Sequence, residues 1–208
     1  MKKYLLLLLS LLLILGLTGC GKKEEENQVK PQNQQNDDTD KSGENGEQPE
    51  GKVLVVYFSA TGNTKAVAEK IATVTGADIY EIVAKQTYTS DDLNWHDKNS
   101  RTTYEQNDPN CRPEIGSEKI SLEGYTTIFI GYPIWWGEEP RILDTFVENY
   151  DFTGMTMIPF CTSSSSGMGR SGRNLAENAG NGNWLEGKRF SERASQSDVE
   201  SWLSSLKY

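Results

Sequence analysis

Apolar residues fall along this chain in short dense runs that alternate with amphipathic stretches. Positions 53–58, Val-Leu-Val-Val-Tyr-Phe, form an unbroken, largely β-branched run, the mark of a strand buried on both faces. Positions 65–71 then place Ala66, Val67, Ala68 and Ile71 on one helical face. Residues 78–83 alternate apolar and polar as a second strand, and 125–130 read as a third, buried one. A helix over 141–150 starts behind Pro140, a residue suited to a first turn. A fourth strand spans 155–161 and tolerates Pro159 near its end, a helix lies around 173–177, and 184–190 is the fifth strand. Ser197 begins a terminal helix with Val199, Trp202, Leu203 and Leu206 as its stripe. Residues 87–119 are polar and irregular apart from a helix over 100–106, and read as an insertion. Five strands alternating with helices predict an α/β fold, a doubly wound five-stranded parallel sheet with helices on both faces. Ligands of such sheets sit at the carboxyl ends of the strands, so the turns after strands one, three and four are the places to look.

The first 50 residues break this pattern. Lys2 and Lys3 precede a leucine-rich run over 4–17, and the small residues Thr18 and Gly19 follow it. A basic start, a short apolar core and small residues before a cut describe an export signal. At about 14 residues the run is short of the roughly 20 a spanning helix needs. Leu17-Thr18-Gly19-Cys20 resembles the lipobox of bacterial lipoproteins, in which cleavage precedes the cysteine and its thiol carries the lipid. Residues 1–20 are therefore expected to be a lipoprotein signal, with Cys20 as the lipidation site and a cell membrane, on its outer side, as the location. Residues 21–50 hold no aromatic residue and one large aliphatic, Val29, too little apolar surface to offset ordering entropy. They read as a disordered acidic and polar linker whose coil dimensions would be on the order of 30 Å. Residues 51–208 are left as one domain, a size that supports a substantial core.

Charge and cysteines narrow the function. The chain carries a formal −9, and the nine acidic residues and four lysines of the linker account for only part of it. The domain is acidic in its own right, which speaks against nucleic acid as a partner. Cys111 and Cys161 would meet an oxidising compartment after export, but nothing in their spacing brings them together. His96 is the one histidine and cannot build a metal site alone.

The three turns carry the chemistry. Ser59-Ala60-Thr61-Gly62-Asn63-Thr64 joins strand one to its helix with four hydroxyl or amide side chains and one glycine. Such a turn aims backbone N–H groups and hydroxyls at the positive end of a helix dipole, which suits a phosphate. A Walker loop is excluded, since Lys65 follows Thr64 with no second glycine behind it. A turn neutral in side-chain charge fits a terminal phosphate ester, whereas a plain helix cap would need only one of these residues. After strand three, Gly131-Tyr132-Pro133-Ile134-Trp135-Trp136-Gly137 sets two tryptophans in a loop, where a flat aromatic ligand would give one a stacking partner. After strand four, 162–172 is small and polar. It contains Gly167, Gly169 and Gly172 in the G-x-G-x-x-G spacing, but five residues separate Gly167 from the strand and only one further strand follows. A serine hydrolase built on 163–166 would have only His96 as its base.

These three turns in this order resemble the flavodoxin-like FMN-binding proteins, in particular bacterial domains with a Y-P-x-W-W-G loop and an inserted segment. Tyr88, Asp91, Asp92, Leu93, Ser100, Arg101, Arg112 and Pro113 are similar to that insertion. The resemblance implies FMN as cofactor, with its phosphate on Ser59, Thr61, Gly62, Asn63 and Thr64. Its ring would lie against Pro133, Ile134, Trp135, Trp136 and Gly137, with either tryptophan as stacking face. Thr162, Ser163 and Gly167 would close the other edge. Glu138 and Glu139, next to the loop, would lower the flavin potential if their charges face the ring, or else form a solvated rim. The function expected is electron transfer outside the cytoplasm by a membrane-tethered flavoprotein serving a redox protein or a small-molecule donor or acceptor. One alternative is an FMN-dependent NAD(P)H:quinone-type reductase, with Arg101, Arg112 and Arg170 available to hold a nicotinamide phosphate. The other is a non-catalytic flavin- or ligand-binding module.

Overall fold

The computed structural model describes residues 51–208. The signal, Cys20 and the linker lie outside the described residues. The elements run β1 (Lys52–Phe58), α1 (Asn63–Thr75), β2 (Asp78–Ile82), α2 (Arg101–Asn107), β3 (Tyr125–Pro133) and α3 (Arg141–Val147). They continue with β4 (Thr156–Thr162), α4 (Ser171–Ala179), β5 (Asn183–Trp184), β6 (Lys188–Phe190) and α5 (Gln196–Leu203).

All pairings are parallel, in the order β2-β1-β3-β4-β5, with β6 also beside β4. Alternate residues of each strand feed opposite cores, as a strand's two-residue period requires. Leu54, Val56, Ile128, Ile130 and Met157 pack with Ile142, Leu143 and Phe146 of α3 and Leu175 of α4. Val55, Tyr57, Phe129 and Ile158 pack with Val67, Ala68 and Ile71 of α1 and Val199, Trp202 and Leu203 of α5. The sheet is therefore wound on both faces, and the reversal of strand order between β1 and β3 opens a crevice at their carboxyl ends.

The expected fifth strand is split into β5 and β6, and Pro159 explains the gap. Leu185 N–H donates to Met157 O at 2.9 Å, so alternate residues of β4 turn their backbone polar groups toward this edge. Pro159 is one of them and has no N–H to contribute. Pairing lapses opposite it and resumes at Phe160 with Lys188. Several boundaries also move. α3 ends at Val147 rather than 150, with Tyr150 stacked back on Phe146 at 4.6 Å. β3 extends through Gly131 and Tyr132 to Pro133, and β4 to Thr162, because these residues pair with each other across the sheet.

Candidate functional site

β1 delivers the chain to the crevice and α1 carries it away, so the turn 59–64 sits at the sheet's switch point. Gly62 makes the corner in the left-handed region, φ +88°, where a Cβ would be strained although nothing occupies the space. Its N–H donates to Ser59 Oγ at 3.1 Å, and its carbonyl accepts from Ala66 at 3.0 Å to start the helix. No side chain caps α1, so its first-turn N–H groups stay available, and a plain capped helix is not what the turn builds. Thr61 and Gly62 are exposed and Ser59 and Asn63 half-buried. Thr64 instead turns inward: its hydroxyl meets that of Thr162 at 2.8 Å, both residues buried. Thr162 is thus the buried end of β4 rather than a loop residue, and the pair ties the first turn to the fourth strand.

The loop after β3 folds as a hairpin. Trp135 and Glu138 exchange two backbone hydrogen bonds of 3.0 Å, and the tip residues Trp136 and Gly137 have φ of +50° and +85°. That is a two-residue turn of the primed type, which ordinarily carries Asn-Gly. Trp136 is the one non-glycine residue with positive φ among the described residues. Pro133 is the last residue of β3, and Ile134 N–H donates to Thr162 O at 3.0 Å.

The structure separates the two tryptophans. Trp135 packs edge-on against Phe58 at 5.6 Å and Tyr88 at 5.4 Å, whereas Trp136 is 47% exposed. Tyr88 belongs to the insertion and is itself held, its hydroxyl donating to Glu105 at 2.7 Å and its ring lying 4.0 Å beneath the Arg101 guanidinium. Burial and the Glu105 carboxylate push its phenol far above the usual range. A cleft of about 310 Å³ opens here, lined by Thr61 of the turn, Ile134, Trp135 and Trp136 of the hairpin, and Leu93, Trp95 and Thr102 of the insertion.

Beyond β4, Ser163 Oγ donates to Ser166 O within the loop, and Ser164, Ser165, Ser166 and Gly167 are exposed. Arg189 of β6 pins this loop, donating to Ser163 Oγ at 3.1 Å, Ser163 O at 2.6 Å and Ser164 O at 2.9 Å. A Cβ on Gly169 would lie 3.1 Å from Gly137 O, so the loop abuts the hairpin tip. The crevice thus brings all three turns together.

Two expectations fail. Glu139 is neither a solvated rim nor a charge facing the cleft: it is 1% exposed, accepts from Asn174 at 3.1 Å and lies 3.7 Å from Arg141. Burial, reinforced by nearby Asp144, raises its carboxyl to about 7. Asp144 is also raised by burial, with Oδ2 unbonded 3.6 Å from Arg141. Glu138, its side chain 45% exposed, also pairs with Arg141, at 2.7 Å. Nor do the three arginines form a phosphate site, since Arg101 pairs with Glu105, Arg112 with Glu148 and Arg170 with Glu177. Cys111 and Cys161 are both free, and burial lifts the Cys161 thiol to about 12, which leaves it inert.

Some contributors were hidden in the sequence. Leu93, Trp95 and Thr102 sit in a polar stretch; Leu93 is marked only by its likeness to the insertion, and Trp95, 67% exposed and 3.5 Å from the His96 ring, and Thr102 by nothing in the local pattern. Nothing in the local sequence around Arg189 ties it to the loop after β4.

Comparison with known proteins gives the same picture. The flavodoxin family model matches residues 52–206. A provisionally assigned flavoprotein from Bacteroides uniformis is 44% identical, with a TM-score of 0.71 over 74% of this chain and 98% of its own. A second, from Bacteroides eggerthii, is 43% identical, with a TM-score of 0.70 over 76% and 99%. A flavoprotein from Lactobacillus acidophilus, solved in complex with FMN, is 26% identical, with a TM-score of 0.56 over 74% and 99%. No curated protein matches the chain.

Proposed function

This chain belongs to the flavodoxin family, and from that premise we propose that its domain binds FMN and transfers electrons outside the cytoplasm, tethered to a membrane through a lipid on Cys20. One observation carries the cofactor reading: an uncapped helix start and an apolar, tryptophan-lined cleft share Thr61 as a common wall. The cleft volume falls within the roughly 300–1,000 Å³ of small-molecule sites. Its lining is aromatic and aliphatic with two hydroxyls, the mixture that receives a flat ring bearing a polar tail. The complex of the Lactobacillus relative with FMN supports the same choice.

In this reading the N–H groups at the start of α1 and the hydroxyls of Ser59 and Thr61 hold the phosphate, aided by the helix dipole. Trp136, left free by the packing of Trp135, offers the ring a stacking face, and the 163–167 loop meets its edge. FMN, when bound, supplies one- and two-electron transfer, while the protein orients it and sets its electrostatic surroundings. Electron transfer is favoured over the reductase alternative because Arg101, Arg112 and Arg170 are already engaged by carboxylates. The redox partner is a protein or a small molecule that reaches the exposed rim around Trp95 and Trp136.

The test is reconstitution. Purified domain mixed with FMN should acquire a yellow, bound-flavin spectrum with quenched flavin fluorescence, and slow bleaching by NADH or NADPH would separate a carrier from a reductase. Protein that stays colourless at saturating FMN would sink the cofactor assignment. Full-length protein carrying Cys20→Ala should leave the membrane fraction, and unchanged retention would sink the tether.

A further inference from the structure

The insertion between β2 and β3 does more than wall the cleft: α2 drives one side chain into the base of the tryptophan hairpin. Gln106, buried, donates from Nε2 to Trp135 O at 3.3 Å and to Glu139 O at 3.2 Å. Its Oε1 accepts from Arg141 N–H at 3.3 Å, and its backbone carbonyl accepts from Arg141 Nη2 at 3.1 Å. Trp135 and Glu139 lie on the two sides of the hairpin tip, and Arg141 is the first residue of α3. Only a primary amide answers this set of two acceptors and one donor. A carboxylate would set its oxygens against two carbonyls, and an aliphatic chain would leave Glu139 O and Arg141 N–H without this partner, Trp135 O keeping only the Glu138 N–H.

The tip needs such a clamp. Trp136 holds a left-handed backbone that disfavours any residue with a Cβ, and a conformation of that kind persists only where its surroundings over-determine it. Gln106 does not line the cleft, so it acts through the hairpin rather than on a ligand. We propose that Gln106 is a positioning residue: bridging both sides of the hairpin, it holds Trp136 at the mouth of the cleft and makes flavin affinity depend on the insertion. The affinity part rests on the FMN reading; the clamp itself does not.

Two measurements on Gln106→Glu test this. In the cofactor-free protein, amide hydrogen exchange over 133–141 should quicken about tenfold while that of α1 stays unchanged, the size expected for losing two buried neutral hydrogen bonds in part. In titrations, affinity for FMN and for riboflavin should fall by the same factor, about tenfold, while binding of inorganic phosphate is unaltered. Tyr104→Ala, on the exposed side of the same helix, should change none of these. If Gln106→Glu does not fold, Gln106→Met, of matching length, replaces it in both measurements. Exchange over 133–141 that does not change, or that rises equally across the domain, overturns the clamp. Phosphate affinity falling with flavin affinity overturns the positioning role. Wild-type protein that takes up no FMN removes the cofactor reading, and the exchange measurement still decides the clamp.

Discussion

The phosphate turn and the tryptophan hairpin lie side by side at the same end of the sheet, yet they are built in opposite ways. The turn takes its shape from six consecutive residues: Gly62 turns the corner, Ser59 closes it, and α1 supplies the N–H groups. Its one buried side-chain hydrogen bond to the rest of the fold is the Thr64–Thr162 pair. The hairpin takes its shape from elsewhere. Phe58 and Tyr88 hold Trp135, Gln106 bridges its two sides, and Arg141 lies beneath it among Glu138, Glu139 and Asp144. The contrast follows from what each must do. An anion needs only unpaired N–H groups, which any uncapped helix start provides. A flat ring needs a face at a fixed position, and a short loop cannot hold a tryptophan there without outside support.

The largest expected effect exploits the buried charges under the hairpin, which the turn lacks. Glu139 has its carboxyl raised to about 7, so the folded state holds its proton more tightly than the unfolded chain does. The sign follows: this stabilisation is complete below the ordinary carboxylate range and is lost as pH rises through about 7, by up to about 3 kcal/mol. Urea unfolding at pH 5 and pH 8 should therefore show Glu139→Gln gaining on wild type at the higher pH, since the substituted amide stays neutral and its oxygen can still accept from Asn174. Asp144, also raised, would keep part of the slope. Parallel pH profiles for the two proteins would remove the buried charge from the account of the hairpin.

The next effect probes how local the turn is. Thr64→Val keeps the shape but strands the Thr162 hydroxyl in a buried site, at a cost of about 2 kcal/mol. Adding Thr162→Val should recover most of it, because two apolar partners leave nothing unpaired. A double variant as unstable as the sum of the singles would show that the two hydroxyls do not depend on each other, and the turn would then be wholly local.

The same division decides what could be read from the sequence. The turn was legible because its logic is consecutive, and so were the buried strands that frame it, from the run at 53–58 to that at 125–130. Pro159 was visible in the fourth strand, but only strand pairing reveals that its missing N–H faces β5 and β6 and breaks them apart. Trp135 and Trp136 are adjacent and identical as letters, and their fates differ because one meets Tyr88, far upstream in an insertion with no apolar period. In sequence Glu139 reads as a charge beside the ring or part of a solvated rim, and Gln106 as the last residue of a helix in a polar insertion. Their burial is a product of where α2 docks, and no local pattern encodes that. Charge next to a site in sequence proved a poor guide to charge facing it: Glu138 and Glu139 both pair with Arg141.

The smallest effect is the one that sets stability against binding at the hairpin tip. Trp136 occupies the first position of a primed two-residue turn, where asparagine is preferred and a bulky side chain costs about 1 kcal/mol. Its surroundings leave it 47% exposed. Trp136→Asn should therefore make the cofactor-free domain more stable by about 1 kcal/mol, measured by urea unfolding, while FMN titration shows weaker binding. The equivalent exchange in the turn, Asn63→Ala, touches no left-handed residue and should bring no such gain. If Trp136→Asn instead lowers stability, the tip is not strained, and Trp136 is held there by packing rather than kept for a ligand. If stability rises and FMN affinity stays the same, the strain is real but the stacking face lies elsewhere. Opposite signs from one substitution are what a residue retained for binding, against the preference of its own backbone, should produce.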